Sequence, residues 1–390
     1  GQVFAVAGQI VDEEVCSLED VDRGAKVGLR WARGPFELAN RLGIDSAKAM
    51  AEDYCELANF PVPEIWKREN KFSFSYVDLE ISDGIATVTI NRPEAMNALN
   101  ETVVTQLGDA LDKANSDASV RTIVLDGAGK AFVAGADVKF FVDKIRADSF
   151  PDIYEFTANG HVVQDKLESS SKTTIALTTG LALGGGLELA LSCDYRIGTR
   201  KTQFRFPETS IGIFPGLGGT QRPARIAGLP AARWAVLAGN FMDARTAADL
   251  GMVTNLVDVT KVDETISMLD AQGKPAEKYP AKPMNADSKI AKFAQAFYSD
   301  ENLSSILEGN CPEGFDPEDK LVSRQMKSLS RTAPIALRMA SDLINAAGES
   351  ELSEGLSQEL GRLEMIFSTD DALEGLSALI EGRKPTYQNS

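Results

Sequence analysis

From Tyr76 onward the sequence alternates between strand-like and helix-like periods, and this alternation restricts the fold more than any other feature. Residues 76–93, YVDLEISDGIATVTINRP, begin with apolar side chains at every second position and continue as a β-branched run, with the turn-forming pair Asp83-Gly84 between the two halves. This pattern predicts a β-hairpin. Asn100 then precedes a helical period, and the apolar segments TIVLDGAG and TTIALTTG follow with a helix between them. The alternation predicts an α/β fold.

The composition excludes several classes of protein. The 390 residues are 43% apolar and 25% charged, which is enough to bury a sizeable core in two or three domains. The formal net charge of −17 argues against a broad binding surface for nucleic acid or an anionic membrane, so an anionic ligand must meet locally placed cations. No apolar run approaches the length of a bilayer span, and the first residues lack the features of a secretion signal. We therefore expect a cytoplasmic protein that binds neither nucleic acid nor membrane.

Cysteine and histidine usage narrows the chemistry further. The cysteines, Cys16, Cys55, Cys193 and Cys311, form no CxxC pair, and His161 is the single histidine. These counts exclude a zinc site of the usual spacing and argue against a disulfide framework, so we expect no metal. A serine-type triad would depend on His161 alone. Since His161 lies in a helical pattern, a surface or packing role is favoured.

Changes in composition predict the domain boundaries. Residues 1–59 show helical patterns with short breaks and are expected to form a small all-α domain. Residues 60–72 contain two prolines and a charge cluster and are predicted to be a linker. The α/β core is predicted over 73–257. Residues 258–333, with proline, lysine and acidic clusters, are interpreted as a partly helical insertion, and 334–390 as a C-terminal helical layer.

Two loops of small residues follow predicted strands and precede predicted helices. In GLALGGGLELALSCDYRI, residues 184–186 are glycines, and Glu188 lies in the first turn of the helix. In AFVAGADVKFF, residues 134–136 are Ala-Gly-Ala, and Asp137 opens the helix. Small residues let the backbone approach a ligand, and helix starts leave N–H donors unpaired, so one donor from each loop can hold an oxyanion. Tight turns that pack on the sheet are the alternative, and the residues alone leave it open.

A second glutamate follows in FRFPETSIGIFPGLGGTQR. Glu208 stands directly after a proline in this segment, downstream of Glu188. Two carboxylates that reach one pocket can share a water molecule, one accepting a proton and the other supplying one. Most glutamates are solvated surface charges, so the pair by itself is weak evidence for a catalytic site.

Five motifs in this order resemble the crotonase, or enoyl-CoA hydratase/isomerase, superfamily. They are NRPEAMNALN, AFVAGADVKFF, GLALGGGLELALSCDYRI, FPETSIGIFPGLGGTQR and FSTDDALEGLSALIEGRKP, within residues 73–388. The resemblance implies a spiral of ββα units with a C-terminal helical layer, a homo-trimer or hexamer, and an acyl-CoA substrate. It also implies that the N–H groups of Ala136 and Gly185 hold the thioester oxygen.

The two glutamates decide which reaction of the superfamily is implied. Glu188 and Glu208 stand at both positions that enoyl-CoA hydratases use, which implies addition of water to a trans-2-enoyl-CoA. Glu208 would deliver a proton to the α-carbon, and Glu188 would hold and deprotonate the water. The insertion resembles that of 3-hydroxyisobutyryl-CoA hydrolases, but Gly216 stands where those carry aspartate. A thioester hydrolase, an enoyl-CoA isomerase and a non-catalytic acyl-CoA-binding subunit remain the alternatives.

The same resemblance implies contacts to coenzyme A. The implied contact residues are Ala95, Met96 and Ala98 near the adenine, Ala134, Asp137, Val138 and Lys139 along the CoA moiety, and Phe367 and Lys384 from the C-terminal segment. Arg92 is a further available cation. Glu94 departs from the hydratase pattern, which often has lysine there. Ordinary loop and helix surface is the alternative for Arg92, Phe367 and Lys384.

The N-terminal segment resembles a different family. VCSLEDVDRGAKVGLRWARGPFELANRLGID is similar to the C-terminal helical domain of 3-hydroxyacyl-CoA dehydrogenases. The chain has no Rossmann fingerprint after a strand, so we expect no cofactor, and in particular no NAD, to be needed by this chain alone. The resemblance implies the C-terminal part of a bifunctional dehydrogenase-hydratase, as in fused β-oxidation enzymes, with the N-terminal dehydrogenase domain missing from this chain.

Overall fold

The computed structural model describes residues 1–68 and 70–390, and these residues divide into two compact units. The smaller unit is Gly1–Tyr76 and the larger is Val77–Ser390. No helix among the described residues is long and apolar enough to cross a membrane. All four cysteines are free thiols.

The smaller unit is helical, as its sequence pattern predicts. Its helices are α1 (Gln2–Asp12), α2 (Leu18–Gly28), α3 (Pro35–Leu42), α4 (Ile44–Ala58) and α5 (Ile65–Arg68). The Ser17 hydroxyl accepts a hydrogen bond from the N–H of Asp20 and so caps α2. The first turn of α3 is capped from a distance, because the Asp22 carboxylate accepts hydrogen bonds from the N–H groups of Phe36 and Glu37.

Aromatic side chains form the core of the smaller unit. Phe36 and Trp66 stack with ring centroids 5.8 Å apart, and Phe72 meets both rings edge-on. The indole N–H of Trp66 donates to the carbonyl of Phe4 at 3.0 Å. The prediction that 60–72 forms a linker is therefore wrong. Burial of two large aromatic rings outweighs the local proline and charge signals.

The larger unit has mixed α/β structure. Its strands are β1 (Val77–Ser82), β2 (Ile85–Ile90), β3 (Thr122–Gly127), β4 (Ala131–Ala134), β5 (Thr173–Thr178), β6 (Leu181–Leu183), β7 (Tyr195–Gly198), β8 (Gln203–Arg205), β9 (Met242–Asp243) and β10 (Asn255–Leu256). Its helices are α6 (Glu101–Ser116), α7 (Val138–Arg146), α8 (Phe150–Glu168), α9 (Gly185–Leu191), α10 (Arg222–Ala227), α11 (Leu229–Val236), α12 (Ala244–Asp249), α13 (Val262–Gln272), α14 (Lys289–Phe297), α15 (Asp300–Leu307), α16 (Lys320–Leu329), α17 (Pro334–Ala346), α18 (Leu352–Gly361), α19 (Leu363–Phe367) and α20 (Asp370–Glu381). Short 3-10 helices lie at Pro93–Ala95, Glu208–Ile211 and Val259–Lys261.

Two sheets organise these elements. The first has the strand order β1-β2-β3-β5-β7-β10, and the second has the order β4-β6-β8-β9. β1 and β2 form the predicted hairpin, with Ser82 opposite Ile85 across the Asp83-Gly84 turn, while the other pairs of the first sheet are parallel. In the second sheet β4, β6 and β8 are parallel and β9 is antiparallel. The predicted α/β class, with its small all-α N-terminal domain, is confirmed.

The predicted insertion begins inside the core rather than outside it. Val262 and Leu269 of α13 are buried against Ile175 and Ile197 of the first sheet. The α/β core therefore extends beyond residue 257. The following segment is attached to the core by polar side chains, since Lys278 donates to a backbone carbonyl and the Tyr279 hydroxyl bonds the carboxylate of Glu168. Helices α14 to α16 complete this region.

Candidate active site

The two small-residue loops meet because the strands before them are neighbours. β4 and β6 run parallel with Ala134 opposite Leu183, so their carboxyl ends lie at the same edge of the sheet. Gly184 then turns the chain into α9 with φ of +45°, in the left-handed region. A methyl group at Gly184 would strain this backbone and would also push the carboxylate of Glu208 out of its place.

Each loop presents one backbone N–H that its own secondary structure does not use. Leu99 forms a parallel bridge to Ala136, in which Leu99 N–H donates to the Gly135 carbonyl at 2.9 Å and Asp137 N–H donates to the Leu99 carbonyl at 2.8 Å. This pattern uses the neighbours of Ala136 and leaves its own N–H pointing away from Leu99. Gly185 is the first residue of α9, where the N–H has no acceptor within the helix. Both residues line one cavity, as an oxyanion site requires.

Glu188 lies in the first turn of α9 with its side chain buried. Its Oε1 accepts hydrogen bonds from the N–H groups of Leu217 and Gly219, at 2.7 and 2.6 Å. Its Oε2 lies beside Gly185, 4.0 Å from where a methyl group on that residue would be. One oxygen of Glu188 is therefore fixed by the backbone, while the other lies next to the proposed oxyanion donor.

Glu208 begins a 3-10 helix directly after Pro207 and is 6% exposed. Its Oε2 is buried and accepts no hydrogen bond from the described residues. A buried carboxyl oxygen without a partner is rare, because it forfeits solvation. Glu208 lines the same cavity as Glu188, Ala136 and Gly185.

Burial and the charge of Glu359 raise the proton affinity of both glutamates. Burial raises the pKa of Glu208 to about 8, and the charge of Glu359 acts in the same direction, while its own N–H and the Arg205 guanidinium lower it. Burial and the charges of Glu208 and Glu359 raise the pKa of Glu188 well above its usual range, although two backbone hydrogen bonds oppose the rise. The pair can therefore hold a proton at neutral pH.

The cavity has a volume of about 240 Å³ and mostly apolar walls. Its apolar lining includes Phe141, Phe156, Leu183, Ile211, Ile213, Phe214, Leu217, Leu363, Phe367, Leu376 and Leu379. Arg205 is the one basic side chain in its wall among the described residues. Four other depressions, of about 760, 440, 380 and 320 Å³, are larger and contain neither Glu188 nor Glu208. Size alone does not identify the site; the carboxylates and backbone donors do.

The remaining predicted contact residues are only partly brought together. Ala134, Val138 and Phe367 line the cavity, and Phe367 stacks on Phe141 at 5.1 Å. The residues predicted to contact coenzyme A that lie outside the cavity lining are Ala95, Met96, Ala98, Asp137, Lys139 and Lys384.

Segment 95–98 nevertheless runs beside the first loop. The Met96 carbonyl accepts from the N–H of Ala134 at 3.0 Å. The buried Asn97 amide donates to three carbonyls before and along β4 and so fixes this segment. Asp137 caps α7 and lies 3.7 Å from the guanidinium of Arg92. These contacts place the segment along one side of the loop that carries Ala136.

Lys139, Lys384 and Glu94 lie at the surface rather than in the cavity. Lys139 is exposed and pairs with Asp143 on the next turn of α7. Lys384 is exposed beyond the end of α20, and Glu94 is half-buried within the 3-10 helix of Pro93–Ala95. The predicted contacts of Lys139 and Lys384 to coenzyme A stay predictions.

His161 has a packing position next to the site. Its Nε2 bonds the carbonyl of Gly216 at 2.7 Å, and burial lowers the pKa of the ring to about 4. The imidazole is therefore neutral near pH 7 and donates its Nε2 proton to that carbonyl. Among the described residues, no cluster of three metal-ligating side chains occurs.

Sequence reasoning missed a third buried glutamate. Glu359 in α18 is 0% exposed, and burial raises its pKa to about 7. It accepts hydrogen bonds from the N–H groups of Gly218 and Thr220, at 2.6 and 3.1 Å. Its segment, ESELSEGLSQELGRLEM, contains several glutamates, and no local pattern distinguishes Glu359 from exposed Glu354.

Comparison with known proteins identifies the family. Residues 85–390 match the family model described as enoyl-CoA hydratase/isomerase, and the chain belongs to this family. Residues 1–71 match the model of the C-terminal domain of 3-hydroxyacyl-CoA dehydrogenase. Both predicted resemblances are confirmed.

Individual relatives agree with this assignment. A probable enoyl-CoA hydratase of Mycobacterium tuberculosis is 30% identical over 315 residues, covering 81% of this chain and 98% of the relative. A crotonyl-CoA hydratase of Syntrophomonas wolfei is 29% identical over 316 residues, covering 81% and 98%. The crystal structure of an enoyl-CoA hydratase from Rhodobacter sphaeroides aligns with a TM-score of 0.67 at 24% identity, covering 80% of this chain and 92% of that one, and supports the fold.

Proposed function

We propose that the larger unit is an enoyl-CoA hydratase, which adds water to a trans-2-enoyl-CoA and forms the 3-hydroxyacyl-CoA. The observation that carries the proposal is the shared cavity, in which two buried carboxyl groups lie beside two backbone N–H groups. The names of the relatives, which are hydratases of short or unspecified enoyl-CoA, support the same reaction.

In this proposal the backbone donors stabilise the developing negative charge. The thioester oxygen accepts hydrogen bonds from the N–H groups of Ala136 and Gly185. Its charge increases as the nucleophile adds to the β-carbon and an enolate forms. Loss of one such donor typically costs about 2.7–4 kcal/mol of transition-state stabilisation. The donors belong to the backbone, so loop geometry rather than side-chain identity sets their position.

The glutamates divide the proton transfers. Glu188 Oε2 accepts a proton from a water molecule, and the oxygen of that water molecule forms a bond to the β-carbon. Burial raises the pKa of both carboxyl groups, so the pair holds a proton near neutral pH. In the reacting state of this proposal that proton is on Glu208, which gives it to the α-carbon, and Glu188 is ionised. The product has gained H and OH, Glu188 holds a proton and Glu208 has lost one. Proton exchange between the two groups restores the starting state.

The remaining features of the proposal rest on family resemblance. Coenzyme A is part of the substrate, and we assign no cofactor to the hydration step. The match of residues 1–71 supports a bifunctional arrangement, in which a dehydrogenase domain of the same polypeptide oxidises the hydration product. A homo-trimer or hexamer in the cytoplasm is the assembly and location that we propose.

The test is the ultraviolet absorbance of crotonyl-CoA on addition of this chain without NAD, with a parallel assay for free thiol. Loss of the conjugated enoyl absorbance without free thiol is the expected result. Release of thiol would instead indicate a thioester hydrolase, which the resemblance of residues 258–333 keeps as the second candidate. Unchanged absorbance with crotonyl-CoA and with longer enoyl-CoA substrates would contradict hydratase activity and favour an acyl-CoA-binding subunit.

A further inference from the structure

We propose that Glu359 is a positioning residue for Glu188, and that it acts through the backbone of residues 217–220. This inference rests on the proposed hydratase function, because it assigns a role within that site. Glu359 does not line the cavity, so it is not placed to touch substrate.

Four consecutive N–H groups are shared between the two glutamates. Those of residues 217 and 219 donate to Glu188 Oε1, and those of 218 and 220 donate to Glu359. The Thr220 hydroxyl also donates to Glu359 Oε1. Gly218 has φ of +91°, which only glycine adopts readily, and this turn lets its neighbours direct their N–H groups to one carboxylate. One segment of backbone therefore lies between two buried carboxylates.

The other described side chains that hydrogen-bond to the backbone of residues 216–220 bind carbonyl groups, so the N–H groups of 217–220 remain available to the two glutamates. Arg222, which is buried, donates to the Leu217 carbonyl at 2.9 Å and to Glu168 at 2.7 Å. His161 bonds the Gly216 carbonyl. These side chains hold the carbonyl groups before the turn. Among the described residues, Glu359 is the acceptor for the N–H groups of 218 and 220.

The arrangement explains how Glu188 keeps one orientation. Glu188 sits on the seven-residue helix α9, and the hydrogen bonds to its carboxylate come from the 217–220 segment. Buried N–H groups require acceptors, so removal of Glu359 forces the segment to move or to recruit water. Either change displaces the two donors that fix Glu188. A shift of about 1 Å at a reacting group can reduce the rate about 10²-fold.

The experiment compares Glu359→Gln with Glu354→Gln in the hydration assay. Glu354 lies on the same helix, is exposed, and does not line the cavity, so its variant should keep the activity of the unchanged chain. For Glu359→Gln we expect kcat to fall about 10–100-fold while KM changes less than about 2-fold, since substrate contacts are retained. An unchanged kcat, or a change in KM alone, would overturn the proposal.

A double variant separates positioning from general damage to the site. If Glu359 acts through Glu188, then Glu359→Gln should cause no further loss of kcat in a Glu188→Gln background. An equal loss in both backgrounds would overturn the proposal, because it would show an effect independent of Glu188. If Glu359→Gln fails to fold, Thr220→Val removes the hydroxyl donor to Glu359, and the same dependence on Glu188 is expected at smaller amplitude. If the unchanged chain does not hydrate any enoyl-CoA, the proposed function fails instead.

Discussion

Each unit of this protein contains a buried carboxylate with a raised pKa, and the difference between them lies in the hydrogen bonds. In the smaller unit, Asp22 is 1% exposed, and each of its oxygens accepts a backbone N–H at 2.8 Å. In the larger unit, Glu208 is buried to a similar degree, but its Oε2 has no partner among the described residues. Burial raises the pKa of both groups, to about 6 and about 8. A raised pKa alone therefore does not distinguish the proposed proton donor from a structural carboxylate; an unpartnered oxygen on the cavity does.

Glu188 and Glu359 lie between these extremes. Glu359 resembles Asp22, because both of its oxygens accept hydrogen bonds. Glu188 uses Oε1 for two backbone donors and leaves Oε2 next to Gly185. Both oxygens of Asp22 and Glu359 are held by backbone N–H groups, one oxygen of Glu188 is held in this way, and Glu208 keeps a buried Oε2 without a partner among the described residues. The order Asp22, Glu359, Glu188, Glu208 is thus one of increasing availability for reaction.

The largest expected effect is the loss of activity on replacement of Glu208, the residue at the reactive end of this order. Glu208→Gln cannot transfer a proton to the α-carbon, and we expect kcat for hydration to fall about 10³-fold, within the usual range for loss of a general acid. The measurement is initial-rate kinetics on crotonyl-CoA with a binding assay for the substrate. Binding should be retained, since the apolar wall and backbone donors are unchanged. A Glu208→Gln variant with full activity would contradict the assigned role.

The next effect concerns stability, and the two carboxylates should respond with opposite sign. Asp22→Ala leaves the N–H groups of Phe36 and Glu37 without acceptors, so we expect the smaller unit to lose about 1–3 kcal/mol in free energy of unfolding. In Glu208 the folded pKa of about 8 lies above the ordinary value of 4.5, so the folded state binds more protons than the unfolded state between these pH values. Its stability falls as pH rises through that window, and Glu208→Gln should remove the loss.

Denaturant unfolding of both variants at pH 5 and pH 8 measures these changes. Glu208→Gln should gain stability relative to the unchanged chain at pH 8, by about 1–3 kcal/mol, and gain less at pH 5. Asp22→Ala should be destabilised at both pH values and keep its kcat. The destabilisation should be smaller at pH 8, because the raised pKa of Asp22 makes its own contribution to stability fall as pH rises through about 6. If the free energy of unfolding changed in the same direction in both variants, the distinction between a structural carboxylate and the proposed proton donor would be contradicted.

The sequence predicts those parts of the site whose signals lie next to one another in the chain. Residues 134–136 and 184–186 are predictable as turns from strand to helix, because strand, glycine and helix signals are adjacent in the chain. Parallel pairing of β4 with β6 brings the two turns together. Glu359 is not predictable in this way. It reaches the 217–220 segment across more than a hundred residues of sequence, and the same helix carries a second, exposed glutamate, Glu354.

The errors in the predicted boundaries have the same origin. Residues 60–72 carry the local signals of a linker, yet Trp66 and Phe72 are buried in the aromatic core of the smaller unit. Residues after 257 lose the strand-helix alternation, yet α13 packs on the first sheet. The composition of a short segment indicates whether its residues are compatible with exposure to solvent. It does not indicate whether the segment packs against residues that are distant in sequence.

The smallest effect tests how the cavity sets the pKa of Glu208. Activity should depend on protonated Glu208, so kcat/KM for hydration should decrease as pH rises above about 8. Arg205 lines the same cavity, where its Nε donates to the Gly239 carbonyl at 2.8 Å and its guanidinium lies 4.8 Å from the centre of the Phe241 ring. Its positive charge favours the carboxylate form of Glu208 and so lowers the pKa of that group.

Replacement of Arg205 should therefore extend activity toward higher pH. In Arg205→Gln the pKa of Glu208 rises, because the opposing cation is gone while burial and the charge of Glu359 remain. We expect the alkaline limb of the kcat/KM profile to move upward by a fraction of a pH unit, with exposed Arg331→Gln as the matched control. A downward movement would mean that the limb reports another group, since loss of a nearby positive charge can only make a carboxyl group hold its proton more tightly. In that case the pH profile would give no support for proton transfer by Glu208, and the comparison with Asp22 would lose its functional meaning.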